Sequence, residues 1–163
     1  MNDDFNIRFA QRKDTELVLK FIKELADYEE LLDEVIADEE TLEESLFDRE
    51  MAEVIIAEYK DKPVGFALFF HNFSTFLGKP GIYLEDLYVK PEYRGNGFGK
   101  KLLAFLADLT VKRDCGRLEW WVLDWNKSSI DFYESLGAKA MDEWTVYRLT
   151  GKSLQELAGD FKS

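Results

Sequence analysis

The chain has 163 residues, three prolines and no Ser/Gly linker, which predicts one domain over residues 1–163 with a single substantial core. Its net charge of −12 argues against nucleic acid as a partner, and one cysteine (Cys115) with one histidine (His71) gives neither an internal disulfide nor a zinc ligand set. No apolar run reaches the roughly eighteen residues of a membrane span, and the acidic start MNDDFNIRFA is no signal peptide, so a cytoplasmic protein without membrane contact is expected.

In chain order, Ile7-Arg8-Phe9-Ala10 reads as a first strand. From Asp14 to about Leu32, Val18, Phe21, Ile22 and Leu25 fall at helical spacing, with Asp14 as the N-cap. A second, acidic helix covers Glu39–Phe47 behind Asp38. Two strands, Glu53–Tyr59 and Val64–Phe73, flank a hairpin turn at Lys60-Asp61-Lys62-Pro63. Tyr83–Val89 is a further strand, followed by a helix from about Gly97 to Arg113, whose buried stripe is Leu102, Phe105, Leu106 and Leu109 and whose stop is Gly116. A strand at Arg117–Leu123, a helix at Asn126–Leu136 ending on Gly137, a last strand at Trp144–Leu149 and a helix at Ser153–Phe161 complete the reading. The order predicts an α/β protein, a mixed sheet with helices on both faces.

Charge is unevenly placed. Residues 27–58 carry fourteen acids and one base, whereas residues 90–117 carry seven bases and three acids. One region attracts cations and the other polyanions, although most of the acids serve to solvate helix surfaces. Within the basic region, Arg94-Gly95-Asn96-Gly97-Phe98-Gly99-Lys100 stands between a strand and a helix. Glycines at alternate positions permit a tight loop, and the N–H groups opening the helix form an anion site suited to a pyrophosphate. It is not a Rossmann fingerprint, because the third glycine comes one residue early, nor a Walker A loop, which needs GxxxxGK followed by Ser or Thr. In YLEDLYV two adjacent carboxylates, Glu85 and Asp86, interrupt an apolar strand. Strand alternation sends them to opposite faces, and a half-buried one has its pKa raised toward that of a useful base; an edge-strand salt bridge is the structural alternative.

Arg94 to Gly99 matches the (R/Q)-x-x-G-x-(G/A) signature of the GNAT acetyltransferases, in which this loop holds the CoA pyrophosphate. Tyr83-Leu84-Glu85-Asp86, Leu123-Asp124-Trp125-Asn126, Asp131 to Ala138 and Ile22 to Glu29 resemble the spermidine/spermine and thialysine branch of that family, in register over roughly residues 7–150. The resemblance implies the GNAT fold, a mixed, mostly antiparallel sheet flanked by helices, and acetyl-CoA as cosubstrate. It also implies a small cationic amine as acceptor (polyamine, diamine or lysine analogue such as thialysine), a homodimer and no metal.

By position, it implies that Leu87, Tyr88 and Val89 run beside the pantetheine, that Arg94, Gly95, Asn96, Gly97, Phe98, Gly99 and Lys100 cradle the pyrophosphate, and that Asn126, Lys127, Ser128 and Ser129 add CoA contacts. Tyr133 matches the tyrosine near the CoA sulfur; from the residues alone, flanked by Ile130 and Phe132, it reads as a core aromatic. The implied amine pocket holds Asp27, Tyr28, Glu29, Glu85, Glu119, Trp120 and Trp121, with Glu85 as base, directly or through water. Glu143 is the nearest candidate for a further acidic contact in the segment between Gly137 and Trp144, shorter here than in the spermidine enzymes. Two alternatives stand beside this reading: an acetyltransferase of protein N-termini or lysines, and a CoA-binding regulatory module without turnover.

Overall fold

A sheet in the order β1 (Phe5–Phe9), β2 (Glu53–Tyr59), β3 (Lys62–Ser74), β4 (Lys79–Val89) and β5 (Leu118–Trp120) organises the first part of the molecule. The computed structural model describes residues 4–161, and the chain divides into two compact units, Met1–Trp121 and Val122–Ser163. In the first unit neighbouring strands run antiparallel from β1 to β4, and β5 joins β4 in parallel. This is the mixed, mostly antiparallel α/β arrangement that the sequence predicts.

Register decides which face each apolar residue serves. Val54, Ile56, Phe66, Leu68 and Tyr88 share one face, where they bury Val18, Phe21 and Leu25 of α1 (Thr15–Tyr28) together with Leu46, which follows α2 (Glu39–Glu43) in a π-type turn. Phe5 and Phe9 lie on the opposite face, where they meet Phe98 and Phe105 of α3 (Phe98–Lys112) at ring separations of 4.6 and 5.8 Å. Helices therefore cover both faces, as period-2 alternation on a sheet buried on both sides requires.

Several element ends differ from the sequence reading for local reasons. α1 stops at Tyr28, before Leu32, because Glu30 takes a left-handed conformation (φ 61°); the Leu31 N–H donates to the Ala26 carbonyl and the Glu30 N–H to the Asp27 carbonyl. The hairpin turn narrows to Lys60 and Asp61, both at positive φ, between the paired Tyr59 and Lys62. Asp114 (φ 54°) takes the left-handed position after α3 that was assigned to Gly116. Gly116 instead leaves room for Leu77, whose Cδ1 would lie 2.6 Å from an added Cβ.

The second unit holds α4 (Lys127–Ser135) and α5 (Gly151–Gly159). The strand expected at Trp144–Leu149 is absent: among the described residues of this unit there is no strand to pair with, and a strand needs a partner for its backbone groups. Trp144, Val146, Tyr147 and Leu149 are exposed.

Asp14 precedes α1, but its carboxylate does not cap the helix as the sequence reading has it. It accepts the Gln11 N–H at 2.7 Å and two Arg8 guanidinium bonds at 2.8 and 2.9 Å. Asp14 is buried, and Arg8 holds its carboxyl below the ordinary value. Asp14→Ala should therefore destabilise the fold by about 2–3 kcal/mol, less than a fully buried pair because Arg8 is partly exposed. The contribution is present above the ordinary Asp value of about 3.9 and lost as pH falls through the lower folded value. Urea unfolding of both proteins checks this: the difference should be full at pH 7 and shrink in acid, and a difference independent of pH would count against the pairing.

Candidate active site

β4 is paired with β3 along its length, but with β5 only at Ile82, Leu84 and the intervening Tyr83. Beyond Leu84 the strand continues five residues with, among the described residues, no strand on that side. The Lys90 N–H donates to the Val64 carbonyl on the β3 side at 2.8 Å. Ladder alternation then turns the N–H groups of Tyr88 and Asp86 toward β3 and those of Leu87 and Val89 toward the open edge. The Tyr88 side chain is buried against Phe21.

The glycine loop follows directly. Gly95 and Gly97 have φ of 82° and 78°, the left-handed region that favours glycine, and Gly97 is the residue before α3. The Asn96 amide donates to the Tyr93 carbonyl, and Arg94 Nε donates to the Val89 carbonyl at 3.0 Å. The Arg94 guanidinium also lies 4.8 Å from the Tyr28 ring centroid, so it ties the loop to β4 and to the end of α1. Phe98 is a core residue stacked on Phe5, and only its N–H is left to serve the loop; Lys100 is exposed.

The space above the loop is open. A Cβ added at Gly95 or Gly97 would meet nothing within 4 Å, and at Gly99 only Val89 Cγ2 at 4.0 Å. The N–H groups of Phe98, Gly99 and Lys100 open α3, ahead of the bond from the Lys101 N–H to the Gly97 carbonyl. As the first donors of a fifteen-residue helix they have no partner within it. Three free donors, the positive end of a helix dipole and a concavity without side chains fit a pyrophosphate, the group that acetyl-CoA would place there.

The acidic groups gather around a defect in β4. Leu68 pairs with Asp86 and Phe69 with Leu84, so Glu85 is a bulged residue with no partner on β3. The bulge cancels the simple alternation read from the sequence. Tyr83, opposite Phe70, and Asp86, opposite Leu68, end up on the same face, the one covered by α1. Glu85 is exposed. The half-buried carboxyl is Asp86, pushed up to about 7 by burial and by the negative charges of Glu85 and Glu29. Burial and then Glu85 raise Glu29, the residue closing α1. The Tyr83 phenol is raised by burial and then by Glu85, Glu119 and Asp86.

On β5 the side chains divide. Glu119 is level with Tyr83 and shares its face, and the Trp121 ring meets Tyr83 edge-on at 5.7 Å. Trp120, level with Leu84, is turned to the opposite face, away from the acidic cluster to which the sequence reading assigned it. Tyr28 is exposed at the end of α1, one residue before Glu29 and one after Asp27.

The structure thus brings together Glu29, Glu85 and Glu119, and adds Asp86 and Tyr83, which the sequence reading did not place in the site. The motif YLED carried the signal for both, but only the bulge reveals it. Asn126, Lys127, Ser128, Ser129, Tyr133 and Glu143 belong to the second unit. There Asn126 is buried and caps α4, its side-chain oxygen accepting the Ser129 N–H at 3.4 Å, and Lys127 pairs with Asp131 one turn on. Tyr133 is half-buried beside Phe132, and Glu143 is exposed outside any helix.

Comparison with known proteins identifies the family. Residues 19–138 match the Acetyltransferase (GNAT) family. The thialysine N-epsilon-acetyltransferase of Bos taurus is 39% identical, covering 94% of this chain and 96% of its own length. The L-ornithine N5-acetyltransferase of Arabidopsis thaliana is 50% identical over 57% of this chain and 41% of its own. Among solved structures, an integron cassette protein from the mobile metagenome of V. cholerae superposes with a TM-score of 0.79 at 30% identity, covering 95% of this chain and 98% of that one. With a family match across residues 19–138 and relatives this similar along nearly the whole chain, the protein belongs to the GNAT family and is an N-acetyltransferase.

Proposed function

We propose that the protein transfers an acetyl group from acetyl-CoA, by direct attack, to a primary amine of a small cationic acceptor: a diamine, a polyamine or a lysine analogue such as thialysine. The observation that carries this reading is the cluster of Glu29, Glu85 and Asp86, in which burial and then neighbouring negative charge raise Asp86 and Glu29, beside the unpaired end of β4. The thialysine and L-ornithine acetyltransferases among the relatives support it. The family match runs through residue 121 into the second unit, which supports one acetyltransferase domain over residues 1–163. The resemblance to the branch adds a cytoplasmic homodimer.

Acetyl-CoA, when bound, supplies a thioester carbonyl and a thiolate leaving group. The N–H groups opening α3 take the pyrophosphate, and the Leu87 and Val89 N–H groups on the open edge of β4 take the amide groups of the pantetheine arm. One of them polarises the thioester carbonyl. Asn126 to Ser129 serve as further contacts for CoA.

An alkylamine resembling lysine has a pKa of about 10.4, so at neutral pH nearly all of it is protonated and unable to attack. Carboxylates around it raise that value further, which helps binding and opposes chemistry. The site divides the two tasks. The outer acids, Glu29 and Glu119 with Asp27 beside Glu29, hold a remote ammonium, to which the branch resemblance adds Glu143, while Tyr28, Tyr83 and Trp121 enclose the alkyl chain. Glu85, directly or through water, takes the proton from the attacking nitrogen, and the adjacent Asp86 can pass it on. Tyr133 hydrogen-bonds the departing thiolate. Because phenol, near 10, is a weaker acid than a thiol near 8.5, stabilisation outweighs full proton transfer.

Thiol release from acetyl-CoA with a panel of diamines, basic amino acids, peptides and neutral amines tests the reading directly. Turnover should appear with the small dications. Turnover with peptides alone would move the acceptor to proteins, and CoA binding without thiol release would make the chain a regulatory module.

The rate should rise with pH through about 7, where Asp86 loses its proton. Glu85→Gln should lower kcat by about 10²–10⁴-fold and move the acidic limb to lower pH, because one of the two charges that add to burial in raising Asp86 is gone. Asp86→Asn should remove the limb near 7. A Glu85→Gln enzyme with unchanged rate and profile would remove Glu85 as the base. For Tyr133→Phe, kcat should fall about 10–100-fold at saturating substrates, and unchanged turnover would sink that assignment.

A further inference from the structure

Building on the proposed acceptor class, we infer that Asn72 is a positioning residue: by reaching across β4 it fixes the Glu119 carboxylate beside Tyr83 as the receptor for the acceptor's second, non-reacting ammonium. Asn72 lies on β3 opposite Gly81 of β4, and Glu119 lies on β5, two strands away. The Asn72 Nδ2 donates to Glu119 Oε1 at 3.1 Å, over the backbone of Gly81. Only a glycine permits the crossing. A Cβ at position 81 would stand 2.4 Å from Asn72 Oδ1 and 3.1 Å from the Arg117 carbonyl oxygen.

Glu119 is held from a second direction by Arg117 Nε at 2.9 Å, and this contact also falls on Oε1. Both anchors therefore use the same oxygen. Among the described residues Oε2 has no partner, and the side chain is 36% exposed. One oxygen is fixed and the other is offered to solvent, on the face that carries Tyr83, Trp121 and Asp86. Glu119 is level with Tyr83, and Asp86 lies two to three strand steps further along β4, roughly 7–10 Å. That span suits the two nitrogens of a short diamine or a basic amino acid.

The arrangement is costly for a purely structural tie. Asn72 Oδ1 is buried with no hydrogen-bond partner. Turning the amide over would relieve nothing, because it would set that oxygen against the Glu119 carboxylate. An orphaned buried acceptor is tolerated where the geometry it enforces is used. Here the geometry enforced is the direction of one carboxylate.

Steady-state kinetics with diaminopentane and with pentylamine, which lacks the second ammonium, tests the role on the full chain. Asn72→Ala should raise KM for diaminopentane about five- to tenfold, the weight of one charge-assisted contact. Its kcat should stay within about twofold, and KM for pentylamine should not change. Glu119→Gln should act in the same direction. The double variant should be no worse than Glu119→Gln alone, because Asn72 works through Glu119. A KM that rises equally for both amines, or single effects that add in the double variant, would make the clamp merely structural and overturn the inference. Should Asn72→Ala fail to fold, Glu119→Gln still decides, since an equal effect on the two amines refutes the receptor. A wild-type chain releasing no thiol with either amine would instead overturn the proposed acceptor class, and this role with it.

Discussion

The site depends on one interruption in the sheet: β5 accompanies β4 through three residues and then leaves it. A strand whose outer edge is unpaired carries backbone donors that something must satisfy. Here the unpaired donors are those of Leu87 and Val89, and the chain that follows supplies a glycine loop and the start of a helix in line with them. A single ligand with peptide-like amides at one end and a pyrophosphate at the other satisfies both requirements together. The loop is tied down before any ligand arrives, because Arg94 spends its guanidinium on the Val89 carbonyl and the Tyr28 ring. The donors are therefore fixed in direction, and binding a CoA-like ligand needs little ordering of the protein.

The second constraint is electrostatic. Fourteen acids crowd residues 27–58, yet only Asp27 and Glu29 among them reach the end of α1 near the site. What makes the site acidic is the meeting of Glu29 with Glu85, Asp86 and Glu119 from two strands. These groups cannot all remain charged at the same cost. Asp86, partly buried and next to two negative neighbours, holds a proton up to about pH 7. Glu119 is stabilised by Arg117 and Asn72. Similar side chains thus acquire different surroundings, which is what the proposed division of tasks between cation binding and proton exchange draws on.

Much of this was legible in the sequence because it rests on local rules. The Gly95 and Gly97 loop, the buried stripe of α3 and the run of β2 follow from spacing and from the conformations only glycine adopts freely. The adjacent Glu85 and Asp86 stood out as charges in an apolar strand. What spacing could not give was the bulge. Its evidence lies in the pairing of β4 with β3, and it reverses the alternation that would have separated Tyr83 from Asp86. Trp120 falls on the other face for the related reason that a strand neighbour of Glu119 and Trp121 must face away from both. Trp144–Leu149 has strand composition, but the second unit offers it no partner, and composition alone does not pair a strand. Gly81 and Asn72 were silent because their meaning is a distance between strands.

These tertiary features share a direction. Gly81 gives up a side chain so that Asn72 can cross it, Asn72 gives up a hydrogen bond on Oδ1, and Glu85 gives up its place in the ladder. Each gives up a local interaction, and the first two act on one carboxylate and the third on its counterpart. The bulge sets Asp86 on the α1 face, and the crossing amide sets Glu119 on that same face further down the strand. Their separation is fixed by two rigid strands, not by side-chain reach. If the acceptor is the proposed dication, a pocket built this way measures the distance between its two positive charges and discriminates among amines by length as well as by charge. Shortening an acceptor leaves one carboxylate without its cation, whereas lengthening it displaces the attacking nitrogen from the base.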